Sequence, residues 1–272
     1  MRRRDAVHRV FTAKKNKPMN TSQQWIAWFR QNQQNKRINW SLPPSLTPTE
    51  RNNIVQSLQA WQLGETSDGA HLLAAAKRYA GKIGDVYYCE AVQLFIREEQ
   101  KHGNNLGHYL DLIGEQRIKK DWGDTLFRRI RYFNTSMELW TIAVITVEST
   151  AQVFYQALKD ATGCQLLKQV CTDILIDEAY HIDFQLQRMQ LIFSAKSVHQ
   201  KIISYQFYRL FYFSTMLVVW MAHRKLFKAG KVGLGRYLRK MNMKFTKTIE
   251  KLQSGKYTDT AATELMTINH PA

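Results

Sequence analysis

The sequence is short of cysteine, proline and glycine, and each shortage excludes a class of protein. Its 272 residues contain 3 Cys, 5 Pro and 13 Gly. Three cysteines without a CxxC pair exclude a disulfide-stapled domain and a cysteine-ligated zinc site. The low glycine and proline content argues against a turn-rich β-sandwich and favours long helices. Because 44% of the residues are hydrophobic and 12% aromatic, the chain is predicted to bury a substantial core.

Acidic residues are scarce at the start of the chain and in its last helices, but not in its middle. Residues 1–20 carry a net charge of +6, residues 21–195 a net charge of 0, and residues 196–256 a net charge of +13. Such a one-sided basic segment suggests an acidic partner, either an acidic carrier protein or an anionic membrane surface. Nucleic acid is not favoured, because no recognisable nucleic-acid module accompanies the charge.

A secretory signal and a clear membrane span are also missing. The basic start is not followed by an apolar segment. Residues 139–158 and 202–222 are long enough to cross a membrane, but both contain more polar side chains than lipid-facing helices carry. Both are therefore predicted to be buried helices. The expected location is cytoplasmic, with peripheral membrane contact through the second stretch left open.

The pattern predicts an all-α protein built around an antiparallel four-helix bundle. Residues 1–20 are predicted to form a basic flexible arm, 21–46 a leading helix and linker, 47–195 the bundle, 196–256 aromatic and basic helices packed on it, and 257–272 a tail. The bundle helices are predicted over 47–81, 85–114, 124–160 and 165–195. The first begins with Thr47 as N-cap, Pro48 at the first helical position, and Glu50 closing a capping box.

Two of the bundle helices carry a Glu-x-x-His sequence in the middle of an apolar stripe. One pair is Glu99 and His102, and the other is Glu178 and His181. Residues three apart share a helix face, so each pair can address one point inside the bundle. A single such pair is a weak signal, but two of them, both at positions where burial is expected, form a strong one.

The other two bundle helices each offer a carboxylate. Glu148 is the one acidic or basic residue, apart from tyrosine, between Leu139 and Leu158. A buried unpaired carboxylate is costly, so it must be neutralised, paired or bound to metal. In the first helix Glu65 lies on the apolar stripe, and Asp68 is the competing candidate.

Together these residues are the six ligands with which a four-helix bundle holds two iron or manganese ions: Glu65, Glu99, His102, Glu148, Glu178 and His181. Four carboxylates neutralise two divalent cations in an apolar core. The predicted cofactor is two Fe ions, with Mn or a mixed Mn/Fe pair as alternatives. Glu99, Glu148 and Glu178 are predicted to act in catalysis through the metals they hold.

The two motifs resemble those of a known superfamily. Glu98-Glu99-Gln100-Lys101-His102-Gly103 and Asp177-Glu178-Ala179-Tyr180-His181 are similar to the EExxHG and DExxH motifs of the soluble acyl-acyl-carrier-protein desaturases. Residues 48–195 as a whole resemble the ferritin-like di-iron carboxylate superfamily, which implies a ferritin-like bundle. The resemblance also implies that Asp177 and Glu98 orient the metal histidines from behind.

The function expected from these features is that of a non-haem di-iron oxidase or oxygenase. Such an enzyme would activate dioxygen and oxidise an apolar or carrier-bound substrate, as a desaturase or hydroxylase does. It would need an external electron donor, since no GxGxxG flavin or nicotinamide fingerprint is present, and a homodimer is left open. The alternatives are iron or peroxide handling in the manner of ferritin or rubrerythrin, and a non-enzymatic helical protein that binds a membrane or an acidic partner.

The aromatic stretch 202–222 has two interpretations. It is either a fifth helix that covers the bundle or a wall of an apolar substrate tunnel. Tyr155 and other tyrosines are expected near the metals, where packing is the more common role of a core tyrosine.

Overall fold

The computed structural model describes residues 21–132 and 136–254, and the backbone in these ranges is helical and contains no strand. Nine helices lie within them: α1 Ser22–Asn32, α2 Pro48–Glu65, α3 Ala70–Ile83, α4 Tyr88–Leu112, α5 Trp122–Tyr132, α6 Met137–Asp160, α7 Gln165–Ser194, α8 Val198–Ala229 and α9 Leu234–Gln253. The predicted arm at 1–20 and the predicted tail at 257–272 lie outside the described residues.

The bundle is formed by α2, α4, α6 and α7. Helices α6 and α7 are joined by a short turn and pack along each other, α2 packs on α4, and α4 also packs on α7. Helix α1 lies against α4, whereas α8 covers α6 and α2, and α9 lies against α7, α6 and α8. The predicted architecture, a four-helix bundle with a leading helix and two additional C-terminal helices, is confirmed.

Three helices begin with a capping box, in which a side-chain oxygen and a side-chain carboxyl or amide satisfy backbone N–H groups reciprocally. The predicted box at Thr47 and Glu50 starts α2, and Pro48 is its first residue. Thr21 starts α1 in the same way, and Ser197 starts α8. These caps fix helix starts locally, because the first four N–H groups of a helix have no partner within it.

The first bundle helix is not continuous, contrary to the predicted single helix over 47–81. Helix α2 ends at Glu65, and α3 begins at Ala70 after a break. Gly69 has φ +65°, in the left-handed region, and a Cβ built on it would lie 2.6 Å from the side chain of Ile96. The break therefore needs a residue without a side chain, and it leaves Glu65 as the last residue of α2.

The third predicted helix, over 124–160, is also divided. Helices α5 and α6 are separate elements, and Ser136, just before α6, has extended backbone angles. The second bundle helix begins at Tyr88 rather than at Asp85, where the predicted range began. The Asp85 carboxylate instead accepts hydrogen bonds from Ser22 and Arg188, and so ties the start of α4 to α1 and α7.

Buried side chains form two apolar clusters. The larger fills the space between α2, α6, α7, α8 and α9, and the smaller joins α1 and α3 to the first half of α4. The turn after α8 packs closely on α6, because a Cβ on Gly230 would lie 2.3 Å from the carbonyl oxygen of Ala157. The C-terminal helices are thus seated directly on the backbone of the bundle.

Within the residues described, every helix falls short of the combination of length and hydropathy that crossing a membrane requires. The two stretches that were predicted to be buried helices, residues 139–158 and 202–222, differ in burial. Most of α6 is buried, whereas α8 has one buried face and one exposed face. The predicted burial therefore holds for residues 139–158, none of which is exposed, and is only half right for residues 202–222.

Candidate metal centre

Four of the six predicted ligands converge at one point between α4 and α7. Glu99, His102, Glu178 and His181 each offer one ligand atom, and these atoms lie within 4.8 Å of one another. The two imidazole centroids are 5.5 Å apart. Glu178 lies between the histidines, because its two carboxylate oxygens are 3.7 Å from His102 Nδ1 and 3.7 Å from His181 Nδ1, respectively.

Each histidine is held from behind by an acid on the opposite helix. His102 Nε2 lies 3.0 Å from Asp177 Oδ2, and His181 Nε2 lies 2.8 Å from Glu98 Oε2. These contacts engage Nε2 of both rings and leave both Nδ1 atoms facing the centre. The acids that the resemblance suggested for this role are therefore placed where they can orient the two imidazoles.

The centre contains buried carboxylate oxygens and imidazole nitrogens that lack hydrogen-bond partners among the described residues. Glu99 Oε1, both carboxylate oxygens of Glu178, and Nδ1 of His102 and His181 find no hydrogen-bond partner among the described residues. His181 Nδ1 is 2.6 Å from Glu99 Oε1, yet the two groups do not meet with hydrogen-bond geometry. Buried polar atoms nearly always have hydrogen-bond partners, so five such atoms without a partner in one place are suited to binding a metal ion.

The remaining two predicted ligands flank this group. Glu65 is buried and lies beside Glu99, and its carboxylate accepts hydrogen bonds from Tyr155 Oη at 2.7 Å and Trp61 Nε1 at 2.9 Å. Glu148 is 3% exposed and lies beside Glu178. All four predicted carboxylates are thus in a chain of neighbours.

The structure separates the two candidates on the first bundle helix. Asp68 is exposed in the break after α2, where its carboxylate accepts a hydrogen bond from the N–H of Ala70. Glu65 faces the centre. The geometry therefore favours Glu65 over Asp68 as the ligand from this helix.

The crowding of carboxyl groups raises their pKa values. Burial, together with the charge of Glu99, raises the pKa of Glu65 to about 8. Burial raises the pKa of Glu178 to about 7, and burial with neighbouring acids raises the pKa of Glu99 and of Glu148. Burial lowers the pKa of His181, but the charge of Glu99 and the contacts with Glu178 and Glu98 together outweigh burial, and the net shift is upward. Without cations, this centre therefore retains protons that metal ions would displace.

A surface-linked ion network behind His102 was not predicted from the sequence. Asp177 accepts from Arg37 Nη1 at 2.8 Å, from Lys101 Nζ at 2.6 Å, and from Asn32 Nδ2 at 2.8 Å. Burial raises the pKa of Asp177, but His102 and Lys101 outweigh burial and hold it well below its usual range. Lys101 lies inside the first motif and could have been found there, whereas Asn32 and Arg37 are distant in sequence and carry no local signal.

A cavity of about 430 Å³ reaches the centre from the side of α2, α5, α6 and α8. Glu65, Glu99 and Glu148 form part of its wall, and most of the rest is apolar: Trp61, Leu72, Phe95, Ile96, Phe127, Trp140, Ala143, Val144, Val147, Phe211, Val218 and Val219. Exposed Asp68, His71 and Arg128 also line it, so the cavity extends from the surface to the carboxylates. Helix α8 covers the bundle and also contributes residues to the wall of this cavity, and its predicted role as the wall of a substrate tunnel stays a prediction.

Solved structures with the same fold include R2-like ligand-binding oxidases, which are members of the ferritin-like di-iron superfamily. One variant, aerobically reconstituted with a Mn/Fe cofactor, is 16% identical and has a TM-score of 0.59, and the alignment covers 88% of this chain and 95% of that one. Another, reconstituted with an Fe/Fe cofactor, is 17% identical with a TM-score of 0.58 over the same shares. The predicted ferritin-like fold is therefore confirmed.

Sequence comparison adds nothing to this structural similarity. No protein-family model and no curated protein matches the chain. The suggested closer kinship with the soluble desaturases stays a prediction that rests on the two motifs. The donor set nevertheless fits a di-metal cofactor, because the five orphaned nitrogen and oxygen atoms and the two flanking carboxylates are of the kind that iron and manganese accept.

Proposed function

We propose that this protein is a di-metal oxidase that activates dioxygen inside its helical bundle. One observation carries the proposal: five buried nitrogen and oxygen atoms of Glu99, Glu178 and the two histidines have no hydrogen-bond partner among the described residues. An acid on the opposite helix orients each of these histidines. Glu65, Glu99, His102, Glu148, Glu178 and His181 would hold two iron ions, or iron with manganese. The Mn/Fe and Fe/Fe cofactors of proteins with this fold support the same assignment.

The residues around the centre have separate tasks. When bound, two redox-active metal ions supply the electrons that reduce dioxygen. Asp177 and Glu98 fix the two imidazoles so that Nδ1 of each faces the centre. The Glu178 carboxylate, which lies between His102 and His181, would hold metal on both the His102 side and the His181 side of the centre. The Tyr155 hydroxyl and the Trp61 indole hold the carboxylate of Glu65 at the edge of the cavity.

The substrate that this cavity suits is apolar. Its volume of about 430 Å³ falls within the range of small-molecule sites, and aliphatic and aromatic side chains dominate its wall. The same walls would keep bulk water from the reacting atoms. A desaturase- or hydroxylase-like oxidation of an apolar or carrier-bound molecule is the reaction that this arrangement supports.

Two further partners complete the proposal. An external electron donor must restore the reduced metals, because the chain has no flavin or nicotinamide fingerprint. The basic segment 196–256 would meet an acidic carrier protein or an anionic surface.

The test is metal loading followed by exposure to dioxygen. Anaerobic Fe(II) loading is expected to give about two irons per chain, and Glu178→Ala is expected to abolish binding because it removes the carboxylate between both histidines. The matched control is Glu90→Ala, which removes an exposed carboxylate of α4 that pairs with Arg30. Oxygen uptake by the loaded protein should then depend on an apolar substrate and an electron donor.

Four outcomes would contradict the proposal. Retention of both irons in Glu178→Ala would exclude the ligand set. Continued uptake well beyond two irons per chain, or peroxide consumption without an organic substrate, would indicate iron or peroxide handling. Absence of stoichiometric metal would favour a non-enzymatic helical protein.

A further inference from the structure

Helix α8 has an uncovered apolar face, although its other face is well packed. Tyr208, Tyr212 and Leu226 are fully buried against the bundle. On the outer side lie seven large apolar side chains that are 44% to 72% exposed: Val198, Ile202, Ile203, Phe207, Leu210, Leu217 and Met221. We call these seven residues the α8 stripe. Contiguous apolar surface of this extent is unusual on a protein that meets only water, and it marks an interaction site.

The stripe follows the period of a helix. Ile203, Phe207, Leu210, Leu217 and Met221 recur at intervals of three, four and seven residues, with exposed Ser214 at the remaining step. Residues at this spacing share one side of a helix, so they form a continuous band along its length. Five of the seven stripe residues therefore form one face of α8, whereas Val198 and Ile202 lie outside this face near the start of the helix.

The two C-terminal helices, α8 and α9, are basic and contain almost no acid. Helix α8 has no Asp or Glu, and Arg209, Arg224, Lys225 and Lys228 are exposed on it. The neighbouring α9 is also basic, with Glu250 as its one acidic residue, and Arg236, Arg239 and Lys247 are exposed. An apolar face with cations beside it is the pattern of helices that lie on anionic membrane surfaces.

We infer that the α8 stripe docks the protein on an anionic lipid surface, with the helix lying in the plane of the interface. The apolar side chains would enter the boundary between headgroups and acyl chains, while the arginine and lysine side chains would contact lipid phosphates. The contact is peripheral, since no described helix has the length and hydropathy to cross a membrane. This inference narrows the acidic partner proposed above and depends on nothing at the metal centre.

A second copy of the chain fits the stripe less well. Two copies meeting through α8 would bring surfaces together that carry cations without compensating acids, and like charges at an interface oppose association. An anionic lipid surface has the complementary charge. Charge complementarity therefore selects the membrane as the occupant.

The position of the stripe suits the cavity. Phe211, Val218 and Val219 of α8 line the cavity that reaches Glu65, Glu99 and Glu148, and the stripe occupies the adjoining face of the same helix. A protein docked through the stripe would hold this wall of its cavity next to the lipid. Should the oxidase proposal also hold, an apolar substrate could come from the membrane without crossing water.

The experiment is flotation with vesicles made of phosphatidylcholine alone or of phosphatidylcholine with about 30% phosphatidylserine. The full chain is expected to float with the anionic vesicles and to bind the neutral ones far more weakly. The variant Ile203→Glu with Leu210→Glu should bind anionic vesicles at least about tenfold more weakly, because it places two charges in the inserted face.

The control is Val86→Glu with Leu112→Glu, which makes the same change at exposed aliphatic residues outside α8. It should bind anionic vesicles like the unaltered chain. Equal loss in both variants would reduce the interaction to net charge and overturn a docking role for the stripe. A stable dimer of the full chain that becomes monomeric in the stripe variant would assign the stripe to a second copy. A full chain that ignores anionic vesicles would also overturn the inference, whereas the metal content of each variant tests the oxidase separately.

Discussion

At the scale of single residues, the candidate site depends on the acids that contact the histidines as well as on the predicted ligands. Asp177 has no room for solvent and is surrounded by cationic or donating groups from Arg37, Lys101 and Asn32. Because it is anionic, Asp177 accepts a hydrogen bond from the Nε2–H group of His102, which leaves Nδ1 free to bind a metal ion. The environment of this one side chain thus fixes the tautomer of a predicted ligand.

Asp177→Asn is expected to weaken Fe(II) or Mn(II) binding by about ten- to a hundredfold, because the amide no longer provides an anionic acceptor for His102. Titration with Mn(II), followed by electron paramagnetic resonance of the free ion, measures this affinity. Asp173→Asn is the matched control, since Asp173 lies one turn earlier on α7 and pairs with Arg37 and Lys101, but has no contact with either histidine among those described. Equal affinity in Asp177→Asn and the unaltered chain would contradict the role.

The ligand residue types were predictable from the sequence, but their support was not. A Glu and a His three apart on an apolar stripe are visible in the linear pattern, because helix periodicity alone places them on one face. Asn32 and Arg37 reach Asp177 across more than a hundred residues of chain. Only docking of the leading helix and linker brings them there, and no local pattern records that docking.

At the scale of elements, the breaks were harder to predict than the helices. Helix starts such as that of α2 have a local code in their capping boxes. The gap between α2 and α3 depends on Gly69 and on Ile96 from another helix, so the sequence around Gly69 does not specify it alone. One helix was also predicted over the residues that form α5 and α6, which are separate elements.

Gly69→Ala is expected to lower the melting temperature, since alanine at φ +65° is strained and its Cβ would meet the Ile96 side chain. The expected cost is at least about 1 kcal/mol. Gly81→Ala in α3 is the matched control: its Cβ would meet nothing within 4 Å, and replacing a helical glycine should stabilise the fold by about 0.5–1 kcal/mol. Thermal denaturation followed by circular dichroism measures both. Similar changes in the two variants would refute the strained break.

At the scale of the whole molecule, the buried acids make the metal-free fold sensitive to pH. Glu65 and Glu178 have pKa values of about 8 and about 7, raised from an ordinary 4.5. Between about pH 4.5 and pH 8 the folded chain keeps protons on these carboxyl groups that the unfolded chain has released. The stability that these protons contribute is therefore present below about pH 4.5 and is lost as pH rises toward 8. The raised pKa of His181 acts in the same direction.

The protein from which a chelator has removed metal is therefore expected to melt at least about 5 °C lower at pH 8 than at about pH 5.5. Binding of two divalent cations should abolish most of this difference, because the cations replace the protons as counter-charges. Glu148→Gln should reduce the difference in the chelated protein by removing one of the crowded carboxyl groups. Differential scanning calorimetry with and without chelator tests this, and a metal-free protein that melts higher at pH 8 would contradict it.

The exchange of supporting acids between α4 and α7 has a consequence for how the chain reaches its native state. His102 is oriented by an acid 75 residues later, and His181 by an acid 83 residues earlier. A nascent chain that has completed α4 contains three of the predicted ligands, Glu65, Glu99 and His102, but lacks the acid that orients the His102 imidazole. Each histidine gains its orienting acid in the same step, when α4 and α7 dock. A chain that is still unfinished on the ribosome would therefore not bind iron with high affinity. Metal binding would report that folding is complete.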